Sequence, residues 1–229
     1  MGMLINGKWT PSSIIRSDTK GRYDRLPRTF RHTITNDGVF TPLANRYHLY
    51  VSYACPWATR TLIYLSLKGL EGIINVSVVH PDMLENGWTF LTSFKDTTGD
   101  TLYHYDYLYQ LYQKADNNIT TSVTVPVLWD THTHSIVNNE SSDIIRIFNT
   151  AFDDVTGNET DYYPPHLKDD INHWNTLIYD AVNNGVYQCG FATSQDAYDE
   201  AVDKLFNQLD TLDKHLSTQD FLVGNTLTE

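Results

Sequence analysis

Apolar and polar positions change period sharply between residues 46 and 80. YHLYVS (47–52) is rich in aromatic and branched residues and alternates, which predicts a strand. CPWATRTLIYLSLKG (55–69) follows with a helical period. Leu62, Leu65, Leu67 and Leu70 supply its apolar face, Pro56 suits the first turn, where its missing N–H costs nothing, and Gly69 sits near the stop. INVSVVH (74–80) predicts a second strand. Strand, helix and strand this close together form a βαβ unit, whose two strands run parallel.

Residues 81–106 are irregular, with Gly87, Gly99 and several Asp and Thr. LYQLYQKA (108–115) predicts a short helix, VTVPVLWD (123–130) a strand with Pro126 inside it, HSIVNN (134–139) another strand, and ESSDIIRIFNT (140–150) a helix opened by Ser141 or Ser142 and Asp143. The order is β-α-β-α-β-β-α. Beyond about residue 150 the pattern shifts. VTGNETDYYPP (155–165) predicts a linker, and only helical periods follow, over 167–184 and over 193–217, the second capped by Thr193 or Ser194 with Asp196. Four segments are therefore expected: an N-terminal extension (1–45), an α/β domain (46–152), a linker (153–164) and an all-α region (165–229). The extension has no sustained period, and little regular structure is expected there. Trp9, Tyr23 and Phe30 within it need a surface to bury on, which excludes a free tail.

Composition narrows the class. Of 229 residues, 41% are hydrophobic and 19% charged, as in a soluble globular protein, and the net charge of −12 makes nucleic acid an unfavourable partner. The first residues carry no sustained apolar run, and no membrane span is evident, so a cytoplasmic location is expected. Two cysteines, Cys55 and Cys189, are too few for a disulfide framework.

Cys55 lies where a strand hands over to a helix. A thiol there meets the positive end of the helix dipole and free backbone N–H groups, both of which favour the thiolate, and Arg60 adds positive charge one turn on. The plain alternative is a buried, inert cysteine. In CPWA, Ala58 stands where a resolving cysteine would sit, so an external small thiol such as glutathione is the natural resolving agent. Pro126 admits two readings: an ordinary edge-strand proline, or a cis Val125–Pro126 bond that turns the Val125 backbone toward a peptide-like ligand. Glu140 and Ser141 are either a plain helix cap or a site for an amino-acid end, the carboxylate taking an ammonium and the helix N-terminus a carboxylate. His132 and His134 have metal-like spacing but fall in a polar turn with no further ligand nearby, and no metal is expected. Cys189 falls in a segment between helices and is read as structural or incidental rather than resolving.

Long blocks now carry a resemblance: RYHLYVSYACPWATRTLIYLSLKGLEGIINVSVVHPDMLENGW, VTVPVLWD, IVNNESSDIIR and NNGVYQCGFATSQDAYDEAV resemble the Xi-class glutathione transferases, the glutathionyl-hydroquinone reductases, from about residue 46 onward. The resemblance implies an α/β thioredoxin-like N-terminal domain followed by an all-α C-terminal domain. It implies glutathione as co-substrate, aromatic glutathionyl conjugates as substrates and a homodimer. By motif, Cys55 is the nucleophile and Tyr187 the proton donor to the leaving hydroquinone; Trp88, Ser122, Thr124, Val125, Glu140 and Ser141 are glutathione contacts. Thr59 and Ser122 stand where the family usually has His and Arg. FLVGNTLTE falls where the family opens a further helix, so the helical domain is expected to be incomplete, without further tyrosines of the hydroquinone pocket. Two alternatives stay open: a catalytically weak glutathione-binding fragment, or an Omega-like thiol transferase acting on mixed disulfides.

Overall fold

Asn6 and Gly7, both at positive φ (47° and 72°), turn Met3–Ile5 (β1) back on Lys8–Thr10 (β2). An Asn-Gly pair adopts this left-handed turn at little steric cost, and its twist matches that of the flanking strands. The computed structural model describes residues 2–11 and 16–229. Two further short strands, Arg16–Ser17 (β3) and Tyr23–Asp24 (β4), pair antiparallel. The first 45 residues therefore hold more regular structure than their pattern predicts. Their aromatics do find surfaces: Trp9 stacks on Tyr109, Tyr23 on Tyr187 and Phe30 edge-on against Tyr112, with ring centroids 5.0, 6.4 and 6.1 Å apart.

Contacts divide the chain into two compact units, one from Met1–Ile14 with Leu26–Thr160 and one from Ile15–Arg25 with Asp161–Glu229. The first is built on Tyr47–Val51 (β5), Pro56–Leu67 (α1), Asn75–Val78 (β6), Leu108–Ala115 (α2), Thr121–Ser122 (β7), Val127–Asp130 (β8), Ser135–Asn138 (β9) and Ser141–Thr150 (α3). Strands β6-β5-β8-β9 form one sheet in that order; β5 and β6 run parallel and the other pairs antiparallel. All five residues of β5 are buried, as a central strand covered on both faces requires. The sheet starts after Pro126, not around it, and β8 lies between two neighbours. Pro126 is therefore neither inside a strand nor on an edge; it ends the Val125–Pro126 cis peptide that leads into β8. β7 belongs to a second sheet, ordered β2-β1-β7.

A helical turn, Asp153–Thr156 (α4), occupies part of the stretch whose composition predicts a linker. Lys68, at the end of α1, is buried beside it. Its ammonium donates to the carbonyls of Asn158 (2.7 Å) and Thr160 (2.6 Å) and pairs with Asp153 (3.0 Å). The core is aromatic and aliphatic, with Trp129, Tyr47, Phe148 and Phe152 fully buried.

The second unit is helical, apart from β3 and β4. Lys168–Ile178 (α5) passes through a π-type turn, Tyr179–Asn183, before Gly185–Gly190 (α6) and Gln195–Leu216 (α7). Residues 167–184 are thus not one helix, and Cys189 lies in α6 rather than between helices. The Ser194 hydroxyl caps α7 by accepting from Ala197 N (3.3 Å). Among the described residues no helix is long and apolar enough to cross a membrane.

Candidate active site

Cys55 is the N-cap of α1. Its extended backbone (φ −104°, ψ 112°) lets its carbonyl accept from the N–H groups of Ala58 and Thr59, both at 3.0 Å, while its own N–H donates to Ser52 O (3.1 Å). Pro56 supplies the first helical residue, and the first turn of α1 carries no acidic residue. The positive end of α1 therefore acts on the thiol with no acidic side chain in its own first turn. The half-buried Cys55 Sγ donates weakly to Val125 O at 3.6 Å. The strand-to-helix turn and the segment before β8 thus bring Cys55 and Val125 together.

The Val125 segment is held from below. The hydroxyl of Tyr112, on α2, donates to Thr124 O (2.9 Å) and accepts from Thr124 N (3.3 Å) and from Asn139 Nδ2 (3.2 Å). One phenol, fully buried, thereby ties the residue before Val125 to the residue before Glu140. Asn139 Oδ1 in turn accepts from Phe30 N (3.2 Å).

Glu140 is the N-cap of α3. Its carboxylate accepts from Ser142 N (3.3 Å) and from Ser141 Oγ (3.5 Å). Arg60 Nη2, from α1, donates to Ser141 Oγ at 2.8 Å. The cation of the cysteine-bearing helix is therefore held at the N-terminus of α3, beside the Glu140 carboxylate. One turn further, Asp143 pairs with Arg31; burial raises its pKa, but hydrogen bonds from Arg31 and Asn138 outweigh that and leave it below the usual carboxylate range.

Trp88 is nine-tenths buried, and its carbonyl accepts from Leu108 N (3.0 Å) at the start of α2. Ser122 is buried in β7, paired with Met3. Tyr187 lies in the helical unit, on α6, stacked on Tyr23 (6.4 Å) and tilted against Phe191 (6.2 Å), with the Arg25 guanidinium 5.6 Å from its ring centre. Arg25 also donates to Asn184 Oδ1 (3.5 Å). Among the described residues no group of three or more His, Cys, Asp or Glu side chains is arranged to hold a metal ion.

The sequence profile of the glutathione S-transferase N-terminal domain matches residues 54–151, and that of the C-terminal domain matches 164–229. Glutathionyl-hydroquinone reductase YqjG of Escherichia coli (strain K12) is 54% identical over 237 residues, an alignment covering all of this chain and 72% of YqjG. Its glutathione-bound structure superposes with a TM-score of 0.90 at 52% identity, covering 99% of this chain and 70% of that one. Glutathionyl-hydroquinone reductase PcpF of Sphingobium chlorophenolicum is 48% identical across all of this chain and 72% of PcpF. The glutathione-S-transferase Xi structure from Phanerochaete chrysosporium gives a TM-score of 0.90 at 49% identity, covering 93% of this chain and 69% of that one. This chain belongs to the Xi class of glutathione transferases.

Within this Xi-class chain, sequence reasoning reached Cys55, Val125, Glu140 and Ser141 from residue chemistry, and Trp88 and Tyr187 only through resemblance. It missed Tyr112. Tyr112 shares a helical face with Leu108, so its period announces packing; its polar partners lie 12 and 27 residues away in sequence and leave no local signal.

Proposed function

We propose that this chain reduces glutathionyl-hydroquinones with glutathione through a Cys55–glutathione mixed disulfide. The observation that carries the reading is Cys55 at the N-cap of α1, with Sγ 3.6 Å from the Val125 carbonyl and no second cysteine in its turn. The Cys55 thiolate attacks the sulfur of the conjugate. An S–S bond forms, the aromatic C–S bond breaks, and its electron pair leaves on the ring carbon, which takes a proton. A second glutathione thiolate then attacks the glutathione sulfur of the mixed disulfide. Glutathione disulfide leaves and the Cys55 thiolate returns, so one conjugate and one glutathione give one hydroquinone and one glutathione disulfide.

Tyr187 is the proposed proton donor, a phenol able to give a proton to the departing carbon. Trp88, Ser122, Thr124 and Val125 are the proposed contacts of the glutathione peptide. Glu140 takes the γ-glutamyl ammonium, while Ser141 and the α3 N-terminus take its carboxylate. A cytoplasmic homodimer is part of the same reading, carried over from the family.

A general thiol transferase acting on mixed disulfides would need Cys55 but not Tyr187, because thiolate leaving groups need no protonated carbon. Tyr187→Phe separates the two. Hydroquinone release should fall by about 100-fold, in the range of a lost general acid, with disulfide substrates unaffected. Equal activity of the variant and wild type on both substrates would remove the donor role.

A further inference from the structure

The segments proposed to contact glutathione include stretches on either side of α2, and the hairpin Met3–Thr10 touches both. Met3 and Leu4 pair antiparallel with Ser122 and Thr121 of β7, from which the chain runs on to Val125. Gly7 N donates to Ile119 O (2.8 Å) and Gly7 O accepts from Gln113 Nε2 (2.7 Å), closing the same edge. On the other side the Trp9 indole stacks on Tyr109 (centroids 5.0 Å apart, planes 17° apart) and lies against Gly87, the residue before Trp88. A methyl group on Gly87 would stand 2.8 Å from Trp9 Cη2, and Gly87 has a φ of +72°. Tyr109 stacks in turn on Tyr107 (5.3 Å), whose hydroxyl accepts from Asn86 Nδ2 (3.4 Å).

We propose that Trp9 is a positioning residue for glutathione, and that the N-terminal hairpin is a brace fixing Asn86–Trp88 and the Ser122–Val125 segment in place. The proposal rests on the reading of those two segments as glutathione contacts. Its physical basis is shape. Gly87 has no side chain with which to pack, so the flat indole is the wall that limits where its backbone and Trp88 can go. Trp9 Nε1 is buried without a hydrogen-bond partner, so ring contact rather than a polar bond holds the indole there. Removing the ring leaves Trp88 with more positions to sample. Ligand binding must then restrict them, so affinity falls while the thiol chemistry of Cys55 is retained.

Calorimetric glutathione binding, thermal midpoints and steady-state turnover of Trp9→Ala, Trp9→Phe, Gly87→Ala and the Trp9→Ala/Gly87→Ala double variant test this. Trp9→Ala should bind glutathione about tenfold more weakly, with KM raised and kcat within about twofold of wild type. Trp9→Phe should recover most of the affinity. Gly87→Ala should weaken binding, and by less in the Trp9→Ala background, where the added methyl has room. Unchanged affinity in Trp9→Ala, or additive losses in the double variant, overturns the brace. Absence of glutathione binding by the wild type overturns the proposed function and the brace together, whereas wild-type binding with an unaffected Trp9→Ala overturns the brace alone.

Discussion

Tyr112→Phe removes one oxygen and tests how the site is held. The Tyr112 hydroxyl contacts Thr124 O, Thr124 N and Asn139 Nδ2 at 2.9, 3.3 and 3.2 Å, and the residue is fully buried. In the variant the ring stays and the apolar packing is conserved, so the loss is confined to these bonds. A buried group left without a partner costs about 1–3 kcal/mol. The two bonds accepted by the hydroxyl are long, which favours the lower end for each. A total of about 2 kcal/mol follows, or a urea midpoint lower by about 1 M at a slope of about 2 kcal/mol per M. The same bonds fix the backbone before Val125 and before Glu140, so glutathione affinity should drop alongside stability. Urea unfolding followed by tryptophan fluorescence, with calorimetric binding of glutathione, measures both. A stability change under about 0.5 kcal/mol with unchanged affinity would refute the bracing role of this hydroxyl.

Two further predictions concern buried charge. Burial pushes the pKa of His48 down to about 4, partly opposed by Asp100. Its imidazole is therefore neutral in the folded state while it protonates near 6.5 when unfolded; the stabilisation is complete above pH 6.5 and is lost as pH falls toward 4, by about 2–3 kcal/mol at pH 4.5. His48→Gln should flatten this part of the pH–stability curve, and a wild-type curve no steeper than that of the variant would contradict it. Asp130 is fully buried, and although burial raises its pKa, hydrogen bonds from Arg46, Thr133 and the His132 backbone hold it at about 2. Its stabilisation is present above pH 3.8 and is lost as pH falls through 2. Arg46 donates to both Asp130 oxygens, at 2.7 and 2.8 Å, so Arg46→Met strands a buried carboxylate. It should cost about 3–5 kcal/mol in urea unfolding; a loss below about 1 kcal/mol would show that Thr133 and His132 hold the charge unaided.

The βαβ unit, the hairpin after it and α3 were legible because period, proline and cap residues agree locally over each element. α2 was legible down to its bounds, Leu108–Ala115, without a proline or a Ser, Thr, Asp or Asn cap. The first 45 residues were not: each strand there is two or three residues long, too short to display a period, although Asn6-Gly7 is a local hairpin signal. β1 is stabilised by Thr121 and Ser122, more than 100 residues on, which no local pattern announces. The break after Ile178 was hidden because a π-type turn needs no Gly or Pro and leaves the apolar spacing almost intact. In the site, Cys55 was legible from its place at a helix start and Glu140-Ser141 from the cap. Arg60 was legible as a nearby charge, but its bond to Ser141, 81 residues away, was not. Lys68 is the clearest reversal of pattern: it lies among the leucines at the end of α1, yet is only 1% exposed because backbone carbonyls and Asp153 receive its charge.

Release of free hydroquinone from a glutathionyl-hydroquinone in excess glutathione, wild type against Cys55→Ala, tests whether Cys55 performs the chemistry. The wild type should turn over, with one glutathione disulfide formed per hydroquinone, and Cys55→Ala should show nothing above background. Turnover that survives in Cys55→Ala, or a wild type no faster than the uncatalysed reaction, would rule out the Cys55 mechanism.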